Sequence, residues 1–221
     1  MSSLTTGSAI NRKRNTEEFT MLSRDGSRTF TGMYGFVLLP DLETEARARK
    51  YAQEVSSNAL DLKHVHQRHL TLFHTKVVKA SEGDLYVLLA NLWKNLPIPA
   101  NFTEVASFGG KFAFWDAERS EALQALHEEA LGLAQFFDRS GAQQADSEAL
   151  QLSEAETRNV REYGHPLVRE LWRPHITVGY VPGGYDAAGF SAAFAGSFNR
   201  VAFVRVGEFG TVAEIISVAQ K

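Results

Sequence analysis

Two short stretches carry residue types whose spacing suits acid–base chemistry. In Arg68-His69-Leu70-Thr71-Leu72 and in Pro174-His175-Ile176-Thr177-Val178, a histidine and a threonine lie two residues apart, with an aliphatic residue between them and another after. Read as strands, each stretch puts His and Thr on one face and the aliphatic residues on the other. An imidazole titrates near neutral pH, so of two facing each other one can take a proton while the other gives one. A threonine hydroxyl in the same space can donate to a phosphoryl oxygen as charge builds there. One His-x-Thr alone is weak evidence, since a buried structural histidine explains it equally well. Two copies, each in a credible strand, favour a paired site: His69, Thr71, His175 and Thr177.

The other candidates carry less. His64 and His66 would share a strand face with His69 on the opposite one, and no carboxylate lies close by at a ligand spacing, so neither a metal centre nor a cofactor is expected. His74 falls on the Leu70/Leu72 face and is expected in the core or at an edge. His127 in a helix and His165 beside Pro166 are expected at the surface. Phe73 follows the parity of His69 and Thr71. Together with Trp115 and Tyr34, at the end and start of strands, it is a candidate for stacking on a base. Core packing is the competing role for all three rings. Arg68 and Arg173 could offer charge to a phosphate or remain at solvated edges.

These residues need strands to hold them. Met33 to Leu39 is a compact apolar run ending at Pro40-Asp41, as in a buried strand followed by a turn. Leu42 to Ser57 is charged and alanine-rich, which predicts a helix before the first motif strand, Arg68 to Val78. Ser81 is a plausible N-cap, with Glu82 and Asp84 in the first turn of a helix running to about Asn95. Phe102 to Phe108 and Lys111 to Trp115 predict a hairpin turning at Gly109-Gly110. Glu118 to Phe137 has helical spacing of apolar residues. The segment 138–163 is an insertion, a polar loop over Asp138 to Ser153 and a short helix over Glu154 to Tyr163. It is either a lid or an inert surface excursion. After the second motif strand, a helix is expected over Asp186 to Ala195, then strands over Arg200 to Val206 and Thr211 to Val218. This order predicts an α+β fold of two small, mainly antiparallel sheets facing across a cleft, helices outside.

The 221 residues suffice for one bilobal domain over 29–221, preceded by a polar leader over 1–28. A net charge of −3 argues against a broad basic face for duplex nucleic acid. The chain has no cysteine, which removes disulfides, thiolate metal sites and a cysteine nucleophile and fits a reducing, cytoplasmic setting. No signal-peptide core and no run near the ~18 apolar residues of a membrane span is seen, so no membrane partner is expected. The basic cluster Arg12-Lys13-Arg14 is read as part of a solvated leader.

His69-Leu70-Thr71-Leu72 and Pro174-His175-Ile176-Thr177-Val178 resemble the two signature motifs of the two-histidine (2H) phosphoesterases. That superfamily includes RNA 2′,3′-cyclic phosphodiesterases, bacterial proteins named RNA 2′-5′ ligases, and enzymes degrading 2′-5′ oligoadenylates. The resemblance spans about Met33 to Val218. It implies a bilobal α+β fold and a metal-independent phosphodiesterase, with RNA, oligonucleotides or nucleotides as substrate and His69, Thr71, His175 and Thr177 as the catalytic four. A monomer is the expected state. The insertion and the leader depart from the family pattern and bear on what the cleft admits. Two alternatives are a phosphodiesterase for a small cyclic nucleotide or nucleotide-sugar cyclic phosphate, and a non-catalytic module that binds RNA ends.

Overall fold

The computed structural model describes residues 19–20, 28–56, 67–137, 139, 152–180 and 190–221. Most of the leader, His64 and His66, and most of the polar loop of the insertion lie outside the described residues. Strands are β1 (Phe19–Thr20), β2 (Thr29–Pro40), β3 (Leu70–Ser81), β4 (Ile98–Phe108), β5 (Phe112–Ala117), β6 (His175–Tyr180), β7 (Phe190–Val206) and β8 (Val212–Gln220). Helices are α1 (Leu42–Ser56), α2 (Glu82–Lys94), α3 (Glu121–Ala130) and α4 (Glu154–Tyr163).

All pairings are antiparallel, in the order β1-β8-β7-β2-β3-β6-β5-β4. The 17-residue β7 is long enough to serve different neighbours in turn. Its first part pairs with β4, its second with β2 and β8. At the other junction, β3 and β6 meet at the single pair Leu70↔Ile176. The strands therefore form one eight-stranded antiparallel sheet, drawn into two halves that share β7 and touch again at the two motif strands. This is the α+β architecture expected from the sequence.

Local chemistry explains the elements. Phe36, Val37, Leu38 and Leu39 are all buried, because β2 is covered on both faces. Phe36 and Leu38 join the main core, while Val37 and Leu39 pack with Ala202 and Val204 on the far side. The Ser81 side chain accepts from the Asp84 N–H while the Asp84 carboxylate takes the Ser81 N–H, a reciprocal cap that starts α2. Ser153 and Glu156 repeat the device for α4, whose span is the one expected. Gly109 and Gly110 both have left-handed φ, 59° and 67°, as the tight β4–β5 turn requires. The helix expected to continue to Phe137 stays α-helical only to Ala130, then tightens to 3-10 geometry over Leu131–Phe136.

The helix expected over Asp186 to Ala195 is not formed over residues 190–195, which belong to β7. The alanines suggest a helix, but the period of two in Phe190, Ala192 and Phe194 prevails. Ala192 is buried, and the rings of Phe190 and Phe194 lie against Tyr51 and Trp115. No helix among the described residues is long and apolar enough to cross a membrane.

Candidate active site

The single β3–β6 pair is the centre of the site. Leu70 and Ile176 are fully buried on the core side. Extending the antiparallel register one residue each way sets His69 across from Thr177 and Thr71 across from His175. All four line one cleft of about 260 Å³.

Each motif histidine is oriented in the same way. His69 Nδ1 lies 2.9 Å from the Gln67 carbonyl, and His175 Nδ1 lies 2.7 Å from the Arg173 carbonyl. A carbonyl only accepts, so Nδ1 carries the proton in both rings and Nε2 is left for chemistry. The two then differ. His69 Nε2 has a second carbonyl, that of Gly210, at 3.2 Å. The His175 ring instead stacks on Phe114, centroids 3.6 Å apart. Burial pushes His175 down to about 4; the Arg173 carbonyl opposes this, and the Arg173 guanidinium and His69 add to it. Burial also lowers His69, against the pull of its two carbonyl partners.

The motif threonines are tied across the seam. The Arg68 guanidinium donates to the Thr177 carbonyl at 3.3 Å, and Trp172 Nε1 donates to the Thr71 carbonyl at 3.1 Å. Each motif thus supports its counterpart's backbone. Arg68 is 7% exposed and is not among the residues lining the cleft. Arg173 does line it, but its guanidinium grips both carboxylate oxygens of Asp116, the residue opposite His175 on β5. It also lies over the rings of Phe108 and Phe114.

Of the rings singled out in the sequence, Phe73 borders the cleft from a buried position. Trp115 and Tyr34 do not border it. Trp115 is fully buried, stacks on Phe102 and gives its Nε1–H to the Ala192 carbonyl. Tyr34 stacks on Phe203 in the core. The aromatic wall is made by other residues: Phe108, Phe112 and Phe114, with Phe209 on the β7–β8 turn. Strand parity could have found part of it. Phe114 opposes Thr177 and Asp116 opposes His175, so these two sit on the cleft face, and Trp115, opposite Ile176, must point into the core.

Three histidines differ from expectation. His127 is fully buried, not superficial. Its Nδ1–H donates to the Leu72 carbonyl at 2.6 Å, its Nε2 accepts the Arg169 N–H at 2.8 Å, and its ring stacks on Trp172. It braces the segment that leads into β6. His74 reaches the cleft because the β2–β3 register slips by one between Thr71 and Phe73, reversing the parity beyond the first motif. His165 also lines the cleft, delivered there by α4. Thr75 donates to the Tyr163 carbonyl at 2.9 Å, and Asn159 donates to the carbonyls of Pro166 and Val168. Helix α4 and the segment after it therefore form a bonded wall.

Comparison with solved structures places the fold among known ones. The chain is similar to TT0787 of Thermus thermophilus, with 20% identity and a TM-score of 0.52 over 84% of this chain and 97% of that one. The crystal structure of E. coli LigT complexed with 3′-AMP aligns at 12% identity and a TM-score of 0.47, over 86% and 98%. A search of curated proteins gave no match. Residues 75–202, which include the second motif, match the family described as "protein of unknown function (DUF1045)", and the chain belongs to that family.

Proposed function

We propose that this protein is a phosphodiesterase that hydrolyses a ribose phosphodiester, a 2′,3′-cyclic phosphate or a 2′-5′ linkage, without a metal. The observation that carries the reading is the Leu70↔Ile176 pair, which sets two histidines and two threonines against each other in one cleft. The phosphoryl group sits between them. His175, neutral at physiological pH with its proton held on Nδ1, takes the proton of the attacking water through Nε2. Burial lowers His69 overall, outweighing the Gln67 and Gly210 carbonyls at its two ring nitrogens, which favour the protonated form. The ring therefore takes up its second proton as the anionic phosphodiester binds beside it. It gives its Nε2 proton to the leaving oxygen, which takes the place of the Gly210 carbonyl. The Thr71 and Thr177 hydroxyls donate to the non-bridging oxygens as charge gathers there. The aromatic wall offers a face for the base.

The test is hydrolysis of 2′,3′-cyclic AMP and 2′-5′ ApA in EDTA by wild type, His69→Ala and His175→Ala, with products resolved by mass spectrometry. Each substitution is expected to lower the rate by about 10²-fold or more, with chelation having no effect. Undiminished turnover in either variant, or loss of turnover with EDTA, sinks the mechanism. Binding of 3′-AMP with no product from any diester would mark the protein as a binding module.

A further inference from the structure

The cleft has a second histidine pair that the reading above does not use. From Leu70↔Ile176 the two motif strands run in opposite directions, β3 toward His74 and β6 toward Tyr180. The two ends of the cleft therefore differ. One end holds Phe112 and Phe209, with Tyr180 stacked on Phe209. The other holds His74, His165, Leu167 and Val168. There the rings of His74 and His165 meet edge to face at 4.5 Å. His165 Nδ1 accepts the Leu167 N–H at 3.2 Å, so its proton is on Nε2. His74 Nδ1 is enclosed by protein, so the nitrogens that can meet a ligand are the Nε2 atoms of the two rings, for which no hydrogen-bond partner is found among the described residues. Burial holds both rings neutral, His165 at about 3 and His74 at about 4. Neutral imidazoles pair with hydroxyls and are poor partners for a second anion.

We propose that the His74–His165 end is a subsite for an uncharged, hydroxyl-bearing substituent of the substrate, a sugar or polyol, on the side of the phosphate opposite the base. This rests on the catalytic reading for the position of the phosphate. The substrate class becomes an asymmetric phosphodiester: aromatic toward Phe112 and Phe209, hydroxylated toward His74 and His165.

The test uses binding, so it does not depend on turnover. Calorimetry compares inorganic phosphate, n-propyl phosphate and glycerol 3-phosphate, the last two having the same carbon count and differing by two hydroxyls. Wild type is expected to hold glycerol 3-phosphate about tenfold tighter than n-propyl phosphate, the scale of one or two net hydrogen bonds. His74→Leu and His165→Leu should abolish that preference and leave phosphate affinity unchanged, and Ser81→Ala, at the cap of α2 and outside the cleft lining, should leave both intact. Imidazole NMR signals of His74 and His165 should move with glycerol 3-phosphate and stay put with n-propyl phosphate. No preference in wild type, a preference that survives both substitutions, or signals that move equally with both esters overturns the subsite. The catalytic reading fails separately, if His69→Ala or His175→Ala hydrolyses the diester as fast as wild type does.

Discussion

Gly35 on β2 lies opposite His74 on β3, beside the slip in register that turns His74 into the cleft. A methyl group at Gly35 would lie 2.6 Å from the Phe73 carbonyl oxygen, 2.6 Å from His74 Cβ and 3.1 Å from His74 Cα. The closest of these approaches fall short by about 0.8 Å of the 3.4 Å at which ordinary contact begins. Two of the three atoms are backbone, so no rotamer change relieves the clash and β3 must move away from β2. Overpacking of this kind costs about 1–3 kcal/mol, about 2–4 °C of Tm per kcal/mol at this chain length. The displaced strand also carries Thr71 and follows His69, and a shift near 1 Å in a catalytic group costs roughly 10²-fold in rate. Gly35→Ala is therefore expected to lower Tm by several degrees and kcat/KM by one to two orders of magnitude. The control is Val204→Ala, which opens a cavity in the far-side cluster away from the cleft. Calorimetry and the diesterase assay, run at 20 °C where both variants stay folded, separate stability from activity. A Gly35→Ala protein with native Tm and native rate refutes the reasoning. Equal activity losses in both variants would show that general destabilisation, not strand position, was responsible.

Trp172→Phe keeps a ring against His127 but removes the donor to the Thr71 carbonyl, so kcat should fall with KM little changed and stability should drop by ~1–3 kcal/mol; unchanged kcat would detach Trp172 from the site. Ser81→Ala breaks the cap of α2, at about 1 kcal/mol, and should lower Tm by a few degrees with activity intact; lost activity would mean α2 positions the cleft after all. His74, His165 and His175 sit at about 4, 3 and 4 in the folded chain, below the ordinary 6.5. The unfolded chain therefore binds more protons in acid. The stability these neutral rings carry is complete above about pH 6.5 and is lost as pH falls from there toward 3–4. Urea midpoints should drop steadily from pH 7 to 4.5, less steeply in His165→Gln; flat midpoints contradict this.

How far the sequence could be read follows from the range of the forces involved. The His-Thr pairs, the α2 cap and the span of α4 are set by neighbours within a few residues, and residue types alone revealed them. His74 was misplaced because a one-residue slip in pairing with β2 reverses every parity inference beyond it, and nothing local announces the slip. Trp115 and Phe114 are adjacent, and which one faces the cleft depends on pairing with Thr177 and Ile176, more than sixty residues away. His127 looked like a surface histidine because its two hydrogen-bond partners, Leu72 and Arg169, come from distant segments. Residues 190–195 took the form demanded by β4 and the rings behind them, against their own helical composition.

The sharing of β7 governs how the two halves can move. One joint between them is a continuous backbone hydrogen-bonded along both its parts; the other is the short seam at Leu70↔Ile176, with the Arg68–Thr177 and Trp172–Thr71 hydrogen bonds beside it. Any relative motion must pivot on the first, because bending β7 would break many ladder bonds, and must open at the second. No residue of β7 lines the cleft, whereas the seam lies directly beneath the chemistry. Breathing of the molecule is thus converted, with no further linkage, into a change in the distance between His69 and His175. Protection from amide exchange at Leu70 and Ile176 would serve as a gauge of how tightly the two proton-transfer groups are held in register.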